Sequence, residues 1–412
     1  MRNRLFESEL MRRLEEIEGE ALSRALRRVA TPQGTTIEID GRHCLNFSSN
    51  DYLGLANEPA LMNAAVHAIE RFGAGSGASR LISGSLAPHF ELEETLAAFK
   101  KTEAALTFSS GYLTALGVIC ALVDRQDIVI LDRLVHASIV DAARLSGAKL
   151  RVFAHNDLND LEQILKWADG RLHVPKSKSQ GPRVLIVTES VFSMDGDQAP
   201  LRELVELKDR HGAWLMVDEA HATGILGDYR RGLAEKLGVE DRVEIQMGTL
   251  GKAFGAAGGY IAGSRALIDY LINRSRSFIF STAPVPAAAA SAAAGVRFVQ
   301  SDAGRERTET LWRRVNQLTP GVQPALSAIL PLIIGDERRT VEAATTLREQ
   351  GIFIPAIRHP SVARGAARLR ITLTAAHTPE QIEQLSTALA QLGLASGDAA
   401  SKPGKSISIS AP

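Results

Sequence analysis

The sequence predicts an α/β chain: a mostly parallel sheet covered by helices on both faces, followed by a smaller α+β part. Three observations predict it. Short apolar runs alternate with stretches of helical period from about residue 60 to 265. Those runs are apolar throughout rather than at alternate positions, as in strands buried on both faces. After an alanine-rich helix near 286–300 the chain changes character, and fewer strand candidates are spaced by helices.

Taken in order, residues 3–30 predict an amphipathic helix, with Leu10, Leu14, Ile17, Ala21 and Ala25 three or four apart. It reads equally as a helix packed on its own body or as an arm reaching a partner subunit. Thr36 to Phe47 predicts a hairpin turning at Asp40-Gly41. Val129-Ile-Leu, Leu150-Arg-Val-Phe, Val184-Leu-Ile-Val, Trp214-Leu-Met-Val and Tyr260-Ile-Ala are the strand candidates of the sheet, with helices such as Asp157 to Leu165 and Leu201 to Lys208 between them. Ligands of such sheets bind at the carboxyl ends of the strands. Glu189, Asp218 and Thr249 each lie just past an apolar run. Lys176 to Pro182 reads as a solvated loop. In the smaller part, Ile329-Leu-Pro-Leu-Ile-Ile, Ile352-Phe-Ile-Pro and Leu369-Arg-Ile-Thr-Leu are strand candidates. Thr378, Pro379 and Gln381 mark the start of the last helix with a capping box. The organisation expected is an arm over 1–45, a large domain over 46–286, a small domain over 287–395 and a disordered tail over 396–412.

Composition excludes several classes of function. Lysine plus arginine and aspartate plus glutamate both number 47 in 412 residues, so no net field draws the chain to nucleic acid or an anionic membrane. The only cysteines, Cys44 and Cys120, form no CxxC motif and fit a reducing compartment. The first residues carry no secretory signal, and Ala283 to Val296 is too short to span a bilayer. A cytoplasmic protein with no nucleic-acid or membrane partner is the expectation.

The chemistry centres on Lys252, in Thr249-Leu-Gly-Lys-Ala-Phe-Gly255, and on Asp218-Glu-Ala-His221. A lysine among glycines can form a Schiff base with an aldehyde, and an aspartate ending an apolar strand can keep a pyridine nitrogen protonated. These are the parts a protein supplies to pyridoxal phosphate. Alone, Lys252 reads more simply as a solvated loop lysine. Asp218 to His221 also resembles the magnesium box of a nucleic-acid-dependent ATPase, but that needs G-x-x-x-x-G-K-[ST] upstream. Lys252 lies downstream, with Gln246 in place of the first glycine and Ala253 behind it. A metal site on Asp218 and His221 lacks a third ligand at suitable spacing. Gly111 and Tyr112, opening a helix, offer a phosphate its backbone N–H groups or are an ordinary capped start. His136 is a helix cap, or a ring placed to stack or to shuttle a proton. Arg370 shares a strand face with Arg368 and Thr372 and reads either as a carboxylate fork or as a solvated edge.

Taken together, Asn46-Phe-Ser-Ser-Asn-Asp-Tyr-Leu-Gly-Leu55, His136-Ala-Ser, Ala154-His-Asn-Asp157, Thr188 to Asp197, Trp214 to His221, Gly251-Lys-Ala-Phe-Gly255 and Ala367 to His377 resemble the α-oxoamine synthases over about residues 25–393. The resemblance implies the fold type I architecture of pyridoxal-phosphate enzymes, with a seven-stranded, mostly parallel sheet, and a homodimer. It implies Lys252 as Schiff-base lysine and acid/base at the substrate α-carbon, Asp218 on the pyridinium nitrogen and His221 on the ring oxygen. His136 would stack on the ring, with Glu189 and Ser193 nearby. Gly111, Tyr112 and Thr249 would hold the phosphate and ring edge, and Thr282 would reach the neighbouring subunit's phosphate. Arg370 would take the amino-acid carboxylate, with Arg27, Asn50 and Ser361 as further substrate contacts. The branch best matched condenses L-alanine with a pimeloyl thioester, on coenzyme A or acyl carrier protein, with loss of carbon dioxide. Relatives using glycine or serine with other acyl groups are the competitors. Arg80-Leu81 stands where glycine–histidine is common, and Val135 where serine often precedes the histidine, which loosens the choice of substrate.

Overall fold

The computed structural model describes residues 2–172, 182–319 and 325–394; the expected tail, and the expected loop from Lys176 up to Pro182, lie outside them. Two compact units emerge. The smaller gathers Met1–Ser49, Met194–Gly196 and Thr310–Pro412 so far as these are described; the larger gathers Asn50–Ser193 and Asp197–Glu309.

In the smaller unit the first helix spans Arg2–Gly19, well short of the expected residue 30. It ends in a Schellman turn, with Leu22 N–H donating to the Ile17 carbonyl and Ala21 N–H to that of Glu18. Ala21 takes the left-handed conformation (φ 56°) usually signalled by glycine, two residues past Gly19, where the helix ends. The reading of this helix as packed on its own body does not hold: Leu10, Leu14 and Ile17 are exposed. Strands β1 (Thr36–Ile39) and β2 (Arg42–Asn46) form the expected hairpin, with Asp40 and Gly41 both at positive φ.

The larger unit is built on one sheet. Its strands are β3 (Ala104–Phe108), β4 (Ile128–Asp132), β5 (Lys149–Phe153), β6 (Val184–Glu189), β7 (Trp214–Asp218), β8 (Ile245–Thr249) and β9 (Gly259–Gly263). Their order across the sheet is β3-β9-β8-β7-β6-β4-β5. The five from β8 to β5 run parallel, and β9 is antiparallel to both β8 and β3. The α/β prediction is borne out, and the continuous apolar runs have their reason: every residue of β4, β6 and β9 is buried. Two strands, β3 and β8, carry a weaker sequence signal than the rest, β8 only as the run before Thr249. Ala104-Ala-Leu-Thr-Phe and Ile245-Gln-Met-Gly-Thr mix small and polar residues into their runs and so lack a strong strand signal. Val118, Ile119 and Ile139 from the covering helices pack on Leu131, Val187, Met216 and Met247 in one core. Each such aliphatic side chain contributes about 1.5–3 kcal/mol on burial. The alanine-rich helix Pro286–Gln300 packs on helices Pro59–Phe72 and Ala87–Lys100.

The rest of the smaller unit carries β10 (Ile329–Gly335), β11 (Ile352–Phe353), β12 (Ala356–Ile357) and β13 (Ala367–Thr372). Three of them form a sheet in the order β10-β13-β12, whereas β11 joins the hairpin as a parallel partner of β2. The capping box of Thr378 and Gln381 forms as expected.

His377 is a pH-sensitive fixture of this unit. It is buried, stacked on Phe47 (ring centroids 4.4 Å apart, interplanar angle 8°), and its Nδ1 accepts from Thr374 N–H while Nε2 donates to the Asn46 carbonyl. The Nδ1 bond needs the neutral ring, since a protonated Nδ1 could not accept, and burial pushes the ring's pKa down to about 4. A depressed histidine contributes stability that is present above the unfolded value near 6.5 and is lost as pH falls toward the folded one. Urea denaturation of the wild type should therefore show roughly 3 kcal/mol lost between about pH 7 and pH 4 from this residue, at about 1.4 kcal/mol per unit. The same loss in a His377→Gln variant would remove the assignment.

Candidate functional site

The parallel strands of the larger unit end together, and the candidate residues follow from that register. Glu189 closes β6 and pairs with Asp218, which closes β7. Side chains at paired positions face the same side of a sheet, so two buried carboxylates sit side by side. Burial, and then the charge of Asp218, push Glu189 up to about 8 against a lowering pull from Lys252. Asp218 is also raised, by burial first, while Lys252 draws it down and Ala220 N–H donates to its Oδ1 at 2.9 Å. Like charges this close do not both ionise cheaply. Burial and mutual repulsion favour a state in which the pair shares one proton, and both carboxylates are raised accordingly.

Lys252 stands on a tight loop after β8, closed by Gly255 N–H donating to its carbonyl and Leu250 N–H to that of Gly258. Gly255 is required there: it has φ 65°, and a Cβ would lie 2.5 Å from the Leu55 backbone. The lysine Nζ lies 2.7 Å from His221 Nε2, and Tyr52 Oη lies 2.6 Å from His221 Nδ1. Lysine, imidazole and phenol thus form a continuous hydrogen-bonded chain. Tyr52 had no role in the sequence reading. The signal lay in the segment Asn46 to Leu55, where it is the one residue with a phenolic proton.

His136 caps the helix Ala137–Ser146. Ser138 N–H donates to its Nδ1, which fixes Nδ1 as an acceptor and puts the neutral ring's proton on Nε2. The residue is exposed, yet partial desolvation lowers its pKa, with Asp218 pulling the other way. The backbone N–H groups of His136 and Ser193 both donate to Glu189. Cap and candidate stacking ring, alternatives in the sequence, are thus the same residue.

A second cradle forms where β8 ends. The helix Gly111–Leu122 starts against Thr249, and a Cβ on Gly111 would lie 2.6 Å from Thr249 Cγ2. The N–H groups of Gly111 and Tyr112 have no carbonyl one turn back. Thr249 Oγ1 is buried with no hydrogen-bond partner among the described residues. An orphaned hydroxyl beside a bare helix start fits a phosphate group. Asn50 Oδ1 and Glu189 Oε1 are likewise buried and unpaired. Tyr112 donates its own hydroxyl to Asp141 at 2.6 Å.

Other expected residues fall elsewhere. Thr282 is exposed, bridged to Ser79, and no described hydrogen bond ties it to the Lys252 group. Arg80 is not presented to a ligand: its guanidinium is buried and forks Glu93 at 2.9 Å through both terminal nitrogens. In the smaller unit Arg370 is buried and donates to Thr372 Oγ1, so the solvated-edge reading is wrong. Arg27 pairs with Asp40 at 2.9 Å and lines a cleft of about 440 Å³ with Arg24, Arg348 and Arg358. Ser361 is exposed, its N–H held by the Arg358 carbonyl. Among the described residues no helix is long and apolar enough to cross a membrane.

Comparison with known proteins adds four findings. The family model described as aminotransferase class I and II matches residues 42–389. An 8-amino-7-oxononanoate synthase of Geotalea daltonii is 46% identical over 387 residues, covering 92% of this chain and 96% of that one. One from Anaeromyxobacter sp. (strain Fw109-5) is 49% identical over 391 residues, covering 92% and 94%. Among solved structures, a serine palmitoyltransferase variant from S. paucimobilis with a bound PLP–myriocin aldimine superposes with a TM-score of 0.85 at 29% identity, covering 93% of this chain and 97% of that one.

Proposed function

The chain belongs to the aminotransferase class I and II family, and from that premise we propose that it condenses L-alanine with a pimeloyl thioester to give 8-amino-7-oxononanoate, carbon dioxide and free thiol. It is a pyridoxal-phosphate-dependent acyltransferase of fold type I. One observation carries the enzyme class: Lys252, Asp218 and the unpaired Thr249 hydroxyl all follow from adjacent, parallel strands ending together. The choice of substrates rests on relatives at nearly half identity over almost the whole chain, against 29% for the serine palmitoyltransferase.

The residues present fit the cofactor. Thr249 Oγ1 and the N–H groups of Gly111 and Tyr112 would hold its phosphate, Asp218 the ring nitrogen, His221 the ring oxygen and His136 the ring face. Thr282 would serve the site of a second copy. When bound, pyridoxal phosphate supplies an electron sink for the negative charge left at the substrate α-carbon. Lys252 removes and returns the proton at that carbon. Its Nζ lies 2.7 Å from His221 Nε2, the nitrogen that would turn to the ring oxygen, while Tyr52 holds His221 Nδ1. Asp218 would face the ring nitrogen and favour its protonated form, with the buried Glu189 beside it and one proton shared between the two carboxylates. His136, with Nδ1 held by Ser138, keeps its Nε2–H free of that bond for the ring face. Arg370 would orient the alanine carboxylate, and Arg27, Asn50 and Ser361 would contact substrate. The acyl carrier is coenzyme A or acyl carrier protein. A homodimer in the cytoplasm is the working form; the uncovered Leu10, Leu14 and Ile17 face and two unpaired cysteines support that reading.

The test is thiol release from pimeloyl, acetyl, succinyl and palmitoyl thioesters with alanine, glycine and serine. Turnover with alanine and the pimeloyl thioester is the expected result; turnover only with glycine, or only with serine, sinks the assignment. Arg370→Leu should raise the KM for alanine about tenfold to a hundredfold, since a charged hydrogen bond is worth roughly 1.5–3 kcal/mol. An unchanged KM removes Arg370 from substrate binding.

A further inference from the structure

The segment Ala154-His-Asn-Asp157 stands out in the sequence, yet nothing above uses its histidine. His155 follows β5 and lies between two carboxylates. Its Nδ1 is 2.9 Å from Asp132 Oδ1, and its Nε2 is 2.7 Å from Asp197 Oδ2. Asp132, the last residue of β4, is fully buried and also accepts the N–H groups of Leu134 and Asn156. Asp197 also accepts from Asn156 Nδ2. An ionised carboxylate only accepts, so each ring nitrogen must donate. Phe192 packs its ring edge-on against the imidazole, centroids 4.4 Å apart.

These contacts lead in two directions. Through Asp132, His155 fixes the turn Asp132–Val135, whose Leu134 N–H is held by that carboxylate and which delivers His136. Through Asp197 and Phe192 it fixes the segment that carries Ser193. Phe192 N–H donates to the Asp197 carbonyl, and Val191 bridges Gln198. His136 and Ser193 are the two residues whose N–H groups converge on Glu189.

We propose that His155 is a positioning residue: a permanent imidazolium that pins the His136 turn and the Ser193 segment to each other behind the site. It touches neither substrate nor cofactor. Burial opposes its charge, but Asp132 and Asp197 outweigh that and lift its pKa to about 10. The role rests on the proposed function only for its effect on turnover; the charge state of the ring does not depend on it.

The test begins with nitrogen NMR of the holoenzyme labelled at histidine, at about pH 8, well above the ordinary histidine value of about 6.5. The resonances lost in His155→Gln identify the ring. Two protonated nitrogens are expected; one bare nitrogen overturns the proposal whatever reaction the enzyme performs. Asp197→Asn, which keeps the shape and removes one charge, should lower kcat about tenfold and alter the circular dichroism of the bound cofactor. The KM for alanine and the melting temperature should change little. A melting temperature that falls while kcat and cofactor dichroism stay at wild-type values would reduce His155 to a fold-stabilising residue and overturn the positioning role.

Discussion

Lys252→Ala should lower kcat by at least about 10²–10⁴-fold, the contribution of a positioned general acid/base. It should also abolish the visible absorption of lysine-linked cofactor. The variant should fold normally, because Lys252 is only half-buried and its loop is closed by backbone bonds of Leu250 and Gly255. Tyr52→Phe, which leaves Lys252 and His221 in place, should cost much less. Asp218→Asn belongs with the lysine: losing about 3–4 kcal/mol of transition-state stabilisation there is a few-hundredfold in rate. Steady-state kinetics and a spectrum of each variant decide the matter. A Lys252→Ala enzyme within tenfold of the wild type would end the reading of this loop as the reactive centre.

The second large effect lies one residue from Asp218 and concerns stability. Successive residues leaving β7 point to opposite faces, so Asp218 serves the site while Glu219 turns into the core behind it. There Lys100, with 2% of its side chain exposed, meets Glu219 at 2.5 Å and also donates to the Arg231 carbonyl. Burial works against the lysine's charge, yet Glu219 holds its pKa above the ordinary value. Glu219 further accepts from Ala234 N–H at 2.9 Å. Lys100→Met strands a buried carboxylate and should cost about 3–5 kcal/mol. Replacing both partners, Lys100→Met with Glu219→Gln, should recover part of that loss, because the second change removes the uncompensated charge. Denaturant titration of both variants is the measurement. A double variant no better than the single one would show that the pair is not what Lys100 supplies.

The sequence made the sheet and the lysine of the candidate site legible because both rest on short-range pattern. Val184 to Val187 and Trp214 to Val217 are apolar runs that end on an acid, and the end of such a strand is where ligands bind. What escaped was long-range. Tyr52 is 169 positions from His221, and no spacing rule joins them. Arg80 carried only a question of substrate choice, because its partner Glu93 comes from the next helix and is invisible until the guanidinium is seen buried. Arg370 reads as an edge residue on alternation alone, but β12 covers one side of its strand and β10 the other. The first helix stops early because Ala21 adopts a conformation its identity does not announce.

The pairing of Glu189 with Asp218 has a consequence for which changes of length the chain tolerates. Side chains alternate along a strand with a period of two, so one inserted or deleted residue before the end of β6 would turn Glu189 to the opposite face. The carboxylate would be lost from the site although no site residue had changed. Two residues would restore the face but move the side chain by about 7 Å along the strand. The strand lengths of β6 and β7 are thus part of what builds the candidate site, and natural length variation should collect in the connections that lead into these strands rather than in the strands themselves.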